Sequence, residues 1–177
     1  MDLLVNNAGF GVYKPLAESN PEMLALNVVA LTRLSRAALP PMLGQGRGAI
    51  INVASGLAFM PQATRATYSS SKAFVVNFTQ ALHEEVKDSG VRVQVLCPGI
   101  THSEFHARSG TDLSRIPAGM VMSAEDVVRV SLKGLELGEV VCIPGLHDTS
   151  FLARFLRSRA ALAQNTVRNG TPAPRYT

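Results

Sequence analysis

The chain has 177 residues, 46% hydrophobic and 17% charged, which suits one folded core and argues against disorder. Its formal charge of +4 sits in the tail, where five arginines and no lysine or acid follow Asp148, so the nearly neutral body excludes a nucleic-acid-binding fold. No basic stretch precedes an apolar run near Met1 and no uncharged apolar run could span a bilayer, so a cytoplasmic protein is expected.

Leu3-Leu4-Val5 reads as a buried strand running into the loop Asn6-Asn7-Ala8-Gly9. Asn20-Pro21-Glu22 starts a helix, with Asn as cap and Pro at the first position, and that helix is expected over 20–39. Pro40-Pro41 should kink or end it, with a glycine-rich loop over 44–48. A second strand spans 49–54, followed by a helix over 66–89 closed by Gly90, with Phe74, Phe78, Ala81, Leu82 and Val86 as its core stripe. Val91 to Cys97 is a third strand, stopped by Pro98-Gly99. Residues 100–122 lack periodicity and read as an irregular excursion. Ser123 caps a third helix with acids in its first turn, and 140–143 is the fourth strand. Strands that are apolar throughout and alternate with helices indicate an α/β fold with a parallel sheet covered on both faces. Cys97 and Cys142 lie in apolar runs and read as buried free thiols rather than a disulfide or metal pair.

Tyr68 and Lys72 lie four apart on the second helix, so they share a face. A tyrosine titrates near ~10, and a neighbouring cation favours its anion, so the pair suits proton transfer at a carbinol oxygen. Taken alone, such a pair is equally a solvated helix face. Ser55, ending the second strand, is either a turn serine or a hydroxyl for a substrate carbonyl. Three strand ends carry small or polar groups: Asn7 and Gly9, Ser55, and Pro98-Gly99. In parallel sheets ligands lie at the carboxyl ends of the strands.

These residues resemble the single-domain short-chain dehydrogenases/reductases. The resemblance rests on Asn6-Asn7-Ala8-Gly9, Asn27 in Leu26-Asn27-Val28-Val29-Ala30, Ser55 in Asn52-Val53-Ala54-Ser55-Gly56, Tyr68-Ser69-Ser70-Ser71-Lys72-Ala73, and Pro98-Gly99. It implies a partial Rossmann-like doubly wound sheet of about four strands and an oxidoreductase exchanging a hydride between NAD or NADP and a secondary alcohol or ketone. By resemblance, Tyr68 is the general acid/base, Lys72 lowers its pKa and bonds the nicotinamide ribose, Ser55 orients the substrate oxygen, and Asn27 holds a water of a proton relay. Asn7, Ala8 and Gly9 would line the adenosine-ribose side, with Pro98, Gly99, Ile100 and Thr101 at the nicotinamide end. The helices at 20–39 and 66–89 would pair subunits of a homo-oligomer.

The family's opening strand, glycine-rich turn and nucleotide-selecting strand have no counterpart, because Gly9-Phe10-Gly11 does not open into a helix. The expectation is a fragment lacking the first βαβαβ half rather than a complete short protein. The two rival functions are an inactive remnant acting through subunit association and, last, an epimerase or dehydratase of the extended branch. His102, Glu104 and His106 lack a further ligand, so no metal is expected. Phe10, Tyr13, Phe59 and Phe105 hint at a lipophilic pocket. The domain reading is a catalytic part over 1–148, a basic amphipathic helix over 149–169, and a loose tail over 170–177. Docking of that helix over the pocket or onto a subunit is preferred to contact with a membrane surface.

Overall fold

Each short apolar run along the chain becomes a strand, and the strands in chain order are β1 (Leu3–Asn6), β2 (Gly48–Val53), β3 (Val91–Leu96), β4 (Ile100–Thr101), β5 (Val121–Met122) and β6 (Val141–Cys142). The computed structural model describes residues 1–168 and 170–176, and the side chains of all of these except 107 and 108. β1, β2, β3 and β6 pair in that order, all parallel, in one four-stranded sheet. Leu3 lies opposite Ala49 and Asn6 opposite Asn52, while Val53 lies opposite Leu96. Register therefore brings the carboxyl ends of β1, β2 and β3 level.

The helices are α1 (Glu22–Leu24), α2 (Leu31–Gln45), α3 (Ala66–Val86), α4 (Glu104–Ser109), α5 (Ala124–Glu136) and α6 (Ser150–Val167). Asn20 caps α1 as expected, its Oδ1 accepting from the Glu22 N–H at 2.9 Å. Between α1 and α2 the chain stays helical but widens into a π-helical turn over Ala25–Ala30. Central strands bury both faces, so helices must cover both. Ala38 and Met42 of α2 and Leu82 and Val86 of α3 pack on Ile50 and Val93. Val127 and Leu135 of α5 pack with Ala49, Ile51 and Leu96.

Four expectations need correction. Pro40 and Pro41 neither end nor interrupt the helix, which runs on to Gln45. Two N–H bonds are lost there, but Met42 is fully buried in the core and holds the last turn down. Gly46, at φ 61°, then closes α2, its N–H on the Leu43 carbonyl at 3.1 Å. The core stripe of α3 is rotated: Val75, Val76, Thr79, Leu82 and Val86 are buried, while Phe74 is 40% exposed and Ala81 is exposed. Phe74 instead stacks on Phe78, ring centres 5.7 Å apart. α3 stops at Val86, and a turn links it to Gly90 at φ 80°. Residues 100–122 hold the parallel pair β4–β5 and the short helix α4.

The chain divides into Met1–Gly145 and Leu146–Thr177. The second unit contains α6, with Arg154, Arg157 and Arg159 and no buried residue, and a short turn at Pro174–Tyr176. Residue 169, where that helix was expected to end, and residue 177 of the tail lie outside the described residues.

Candidate active site

Where β2 and β3 end, backbone bonds keep the two exits together. The Ala54 N–H donates to Leu96 O at 2.7 Å and the Gly56 N–H to Pro98 O at 2.9 Å. Ser55 sits between them, its Oγ accepting from the Leu57 N–H at 3.2 Å. It is thus both a turn serine and a hydroxyl at the sheet edge. α3 begins eleven residues further on and lays Tyr68 and Lys72 against the same edge, each only 5% exposed. Lys72 Nζ donates to Val53 O at 2.9 Å and lies 5.8 Å from the Tyr68 ring centre. The Ser55 hydroxyl is near enough to Tyr68 to pull its pKa down. Tyr68, Ser55 and Lys72 therefore converge.

Asn27 arrives from the widened helical turn, a type of irregularity that recurs at functional sites. Its Oδ1 accepts from the Phe10 N–H at 3.2 Å, and its Nδ2 donates to Phe10 O at 3.0 Å and Ser71 Oγ at 3.3 Å. The side chain thus acts as a backbone surrogate for the loop after β1. A Cβ on Gly9 would stand 2.9 Å from Asn27 Oδ1 and 3.5 Å from Lys72 Nζ, so that loop, the π turn and α3 meet at Gly9. Asn7 and Ala8 lie exposed beside it. On the other side, Gly99 has no atom within 4 Å of where a Cβ would be. Thr101 is turned back, its Oγ1 donating to Gly99 O at 3.3 Å. The edge is therefore tightly packed at Gly9, beside the buried Lys72 ammonium, and open at Gly99.

Burial dominates the electrostatics. It pushes the Tyr68 hydroxyl up to about 12, with Tyr13 adding to the rise, while Ser55 and Arg65 oppose it. It also draws Lys72 down to about 8. The Tyr68 hydroxyl is thereby neutral at neutral pH, beside a lysine that loses its charge just above that range.

Two of the aromatics expected near the site meet Tyr68, together with one residue, Arg65, that carried no sequence signal. Tyr13 meets Tyr68 edge-on at 5.6 Å between ring centres, and Phe105 of α4 lies 5.8 Å from it. The Arg65 guanidinium stacks on Tyr13 at 4.4 Å. Gly11 permits this, since a Cβ there would come within 3.1 Å of Phe105 and 3.2 Å of Tyr13. Of the four aromatics expected in a pocket, Tyr13 and Phe105 join Tyr68, whereas Phe59 packs into the core. Beneath the edge runs a buried polar chain. Asn6 Nδ2 donates to Asn52 Oδ1 at 2.8 Å and Ser35 Oγ at 3.0 Å, and Asn52 Nδ2 donates to Thr79 Oγ1 at 3.0 Å. No group of three or more metal-binding side chains occurs among the described residues. Cys97 and Cys142 are buried free thiols, as expected.

A model of the short chain dehydrogenase family matches residues 1–114. The chain belongs to that family. This short-chain dehydrogenase is 32% identical over 155 residues to the 3-oxoacyl-[acyl-carrier-protein] reductase of Bos taurus, covering 82% of this chain and 65% of the relative. It is 47% identical over 72 residues to the inactive hydroxysteroid dehydrogenase-like protein 1 of Danio rerio, which is 41% of this chain and 23% of that one. Its fold is similar to a short-chain dehydrogenase from Sphingobium yanoikuyae in complex with NADPH, with a TM-score of 0.92, 32% identity, all of this chain and 70% of the other. The chain thus spans less than two thirds of these curated relatives.

Proposed function

We propose that this chain is the catalytic part of an NAD(P)-dependent oxidoreductase that exchanges a hydride with a secondary alcohol or ketone, Tyr68 moving the proton. The observation that carries the reading is the convergence of Tyr68, Ser55 and Lys72 at the sheet's carboxyl edge. A bound nicotinamide dinucleotide would supply or accept the hydride. Ser55 holds the substrate oxygen, and Tyr68, neutral because it is buried, donates its proton to that oxygen in the reductive direction. Lys72, held by Val53 O, would supply the positive charge that favours the Tyr68 anion afterwards and would hold the nicotinamide ribose of a bound dinucleotide. Asn7, Ala8 and Gly9 line the adenosine-ribose side, and Pro98, Gly99, Ile100 and Thr101 the nicotinamide end. Asn27 contributes to the proton relay through a water, its side chain being held by Phe10 and Ser71.

The substrate is a small carbonyl or alcohol compound with a lipophilic body, supported by Tyr13 and Phe105 beside Tyr68. Homo-oligomer formation is supported by apolar side chains exposed on the two paired helices, Leu34 and Phe74 among them. Two buried free thiols suit a reducing cytoplasm. No described helix is long and apolar enough to cross a membrane. A second reading, a remnant that acts only through subunit association, draws support from the name of the zebrafish relative.

The test is turnover of a ketone panel with NADH and NADPH, with the glycine-rich nucleotide-binding half supplied. Tyr68→Phe should lower the rate by about a hundredfold or more while leaving dinucleotide affinity nearly unchanged. Equal turnover in the Phe variant would overturn the mechanism, and no turnover in either would favour the remnant.

A further inference from the structure

Tyr68 stands beside two aromatic rings, Tyr13 and Phe105, and a cation, Arg65, lies over one of them. Arg65 precedes the first turn of α3, where its carbonyl accepts from the Ser69 N–H at 2.8 Å and Ser69 Oγ at 2.9 Å. Those bonds fix the backbone, and the guanidinium of the half-buried Arg65 lies over the Tyr13 ring at 4.4 Å. No carboxylate forms a salt bridge with it among the described residues. The Arg65 charge is felt at the site, since it pulls down both the Tyr13 and the Tyr68 hydroxyls. Stacking on Tyr13 occupies one face of the guanidinium and leaves its in-plane N–H donors, the fork that binds a carboxylate, unused.

We propose that Arg65 is a specificity-determining residue that binds the carboxylate of an aromatic oxo acid, whose ring lies against Tyr13 and Phe105 and whose ketone faces Tyr68. This rests on the Tyr68 reading of the site. The guanidinium and Tyr68 both contact the Tyr13 ring, at 4.4 Å and 5.6 Å from its centre, a proximity that favours a short acid over a long acyl chain. A partly exposed charge pair is screened by water and salt, so the advantage it confers is modest.

Binding is read without turnover, so failure of the hydride chemistry and failure of acid recognition are distinguished. The 177-residue chain is titrated with benzoylformate and with its neutral methyl ester, following backbone amide shifts by nuclear magnetic resonance. The acid should bind about five- to tenfold more tightly at low salt, with shifts centred on Tyr13, Arg65 and Phe105, and the gap should close at high salt. Arg65→Gln should remove the acid's advantage, and Arg65→Lys should keep part of it, because charge remains while the stacked fork is lost. Equal affinities for acid and ester, no saturable binding of the acid, or a preference undiminished in Arg65→Gln would each overturn the proposal.

Discussion

Asn27 shows how one side chain can serve a fold and a site together. It replaces backbone partners for both polar groups of Phe10, in a helix whose own ladder has widened around it. Asn27→Ala should therefore strand a part-buried N–H and C=O and lower stability by about 1–2 kcal/mol. Urea denaturation checks the cost, and faster hydrogen exchange confined to Phe10 and its neighbours checks the cause. Burial also sets a pH dependence. The folded-state values of Cys97, Cys142 and Tyr68 are raised, to about 12, about 11 and about 12. Their contribution is complete below the unfolded values of 9.0 and 10.0 and is lost as pH rises through the folded ones. Lys72 has the opposite sign: lowered from 10.5 to about 8, it adds stability as pH rises across that window. Three groups oppose one above about pH 9. Melting temperature should therefore fall in the alkaline range, and the fall should flatten when Cys97 and Cys142 are both changed to alanine. The Tyr68–Lys72 pair was legible as a motif, because a four-residue helical spacing alone places both on one face. Arg65, Tyr13 and Phe105 were not legible as partners of Tyr68, because their approach depends on where two loops cross.

At the scale of elements, the ends of α2 and α3 are locked together by glycines. A Cβ at Gly90 would run into the backbone carbonyl of Gly46, and Gly90 also holds φ 80°. Neither obstacle yields cheaply, since one is main chain and the other is a left-handed backbone. Gly90→Ala should cost about 2 kcal/mol or more. Gly44, within α2, has nothing within 4 Å of its Cβ position, so Gly44→Ala should stabilise by about 0.5–1 kcal/mol. Chemical denaturation of the two variants side by side tests the contrast. Helix starts were readable from caps such as Asn20 and Ser123, whose side chains bond the first-turn amides as their types require. The continuation of α2 through two prolines was not readable. Proline's local penalty was overridden by the burial of Met42, a contact made with strand residues distant in sequence.

For the whole molecule, β1 forms one edge of the sheet with Leu3 42% and Val5 48% exposed, and α2 and α3 expose Leu34 and Phe74. Open strand edges and apolar patches both favour association. The 177-residue chain should sediment as an oligomer, and Leu34→Lys with Phe74→Lys should shift it to monomer. If association survives that change but is lost in Val5→Lys, the strand edge is the contact instead. The sequence by itself determined the order and type of the main elements, the parallel sheet and the convergence of three strand ends. Each of these follows from local periodicity, caps and breakers, and from the rule that apolar strands need cover on both faces. Only the tertiary structure decided which side of α3 is core, because several stripes of that helix are apolar enough to be buried and the sheet selects one. It alone decided, too, that Asn6, Ser35, Asn52 and Thr79 form one polar chain and that Arg65 reaches Tyr13. These contacts join residues 27 to 52 positions apart, where no local propensity acts and close packing of distant segments determines who meets.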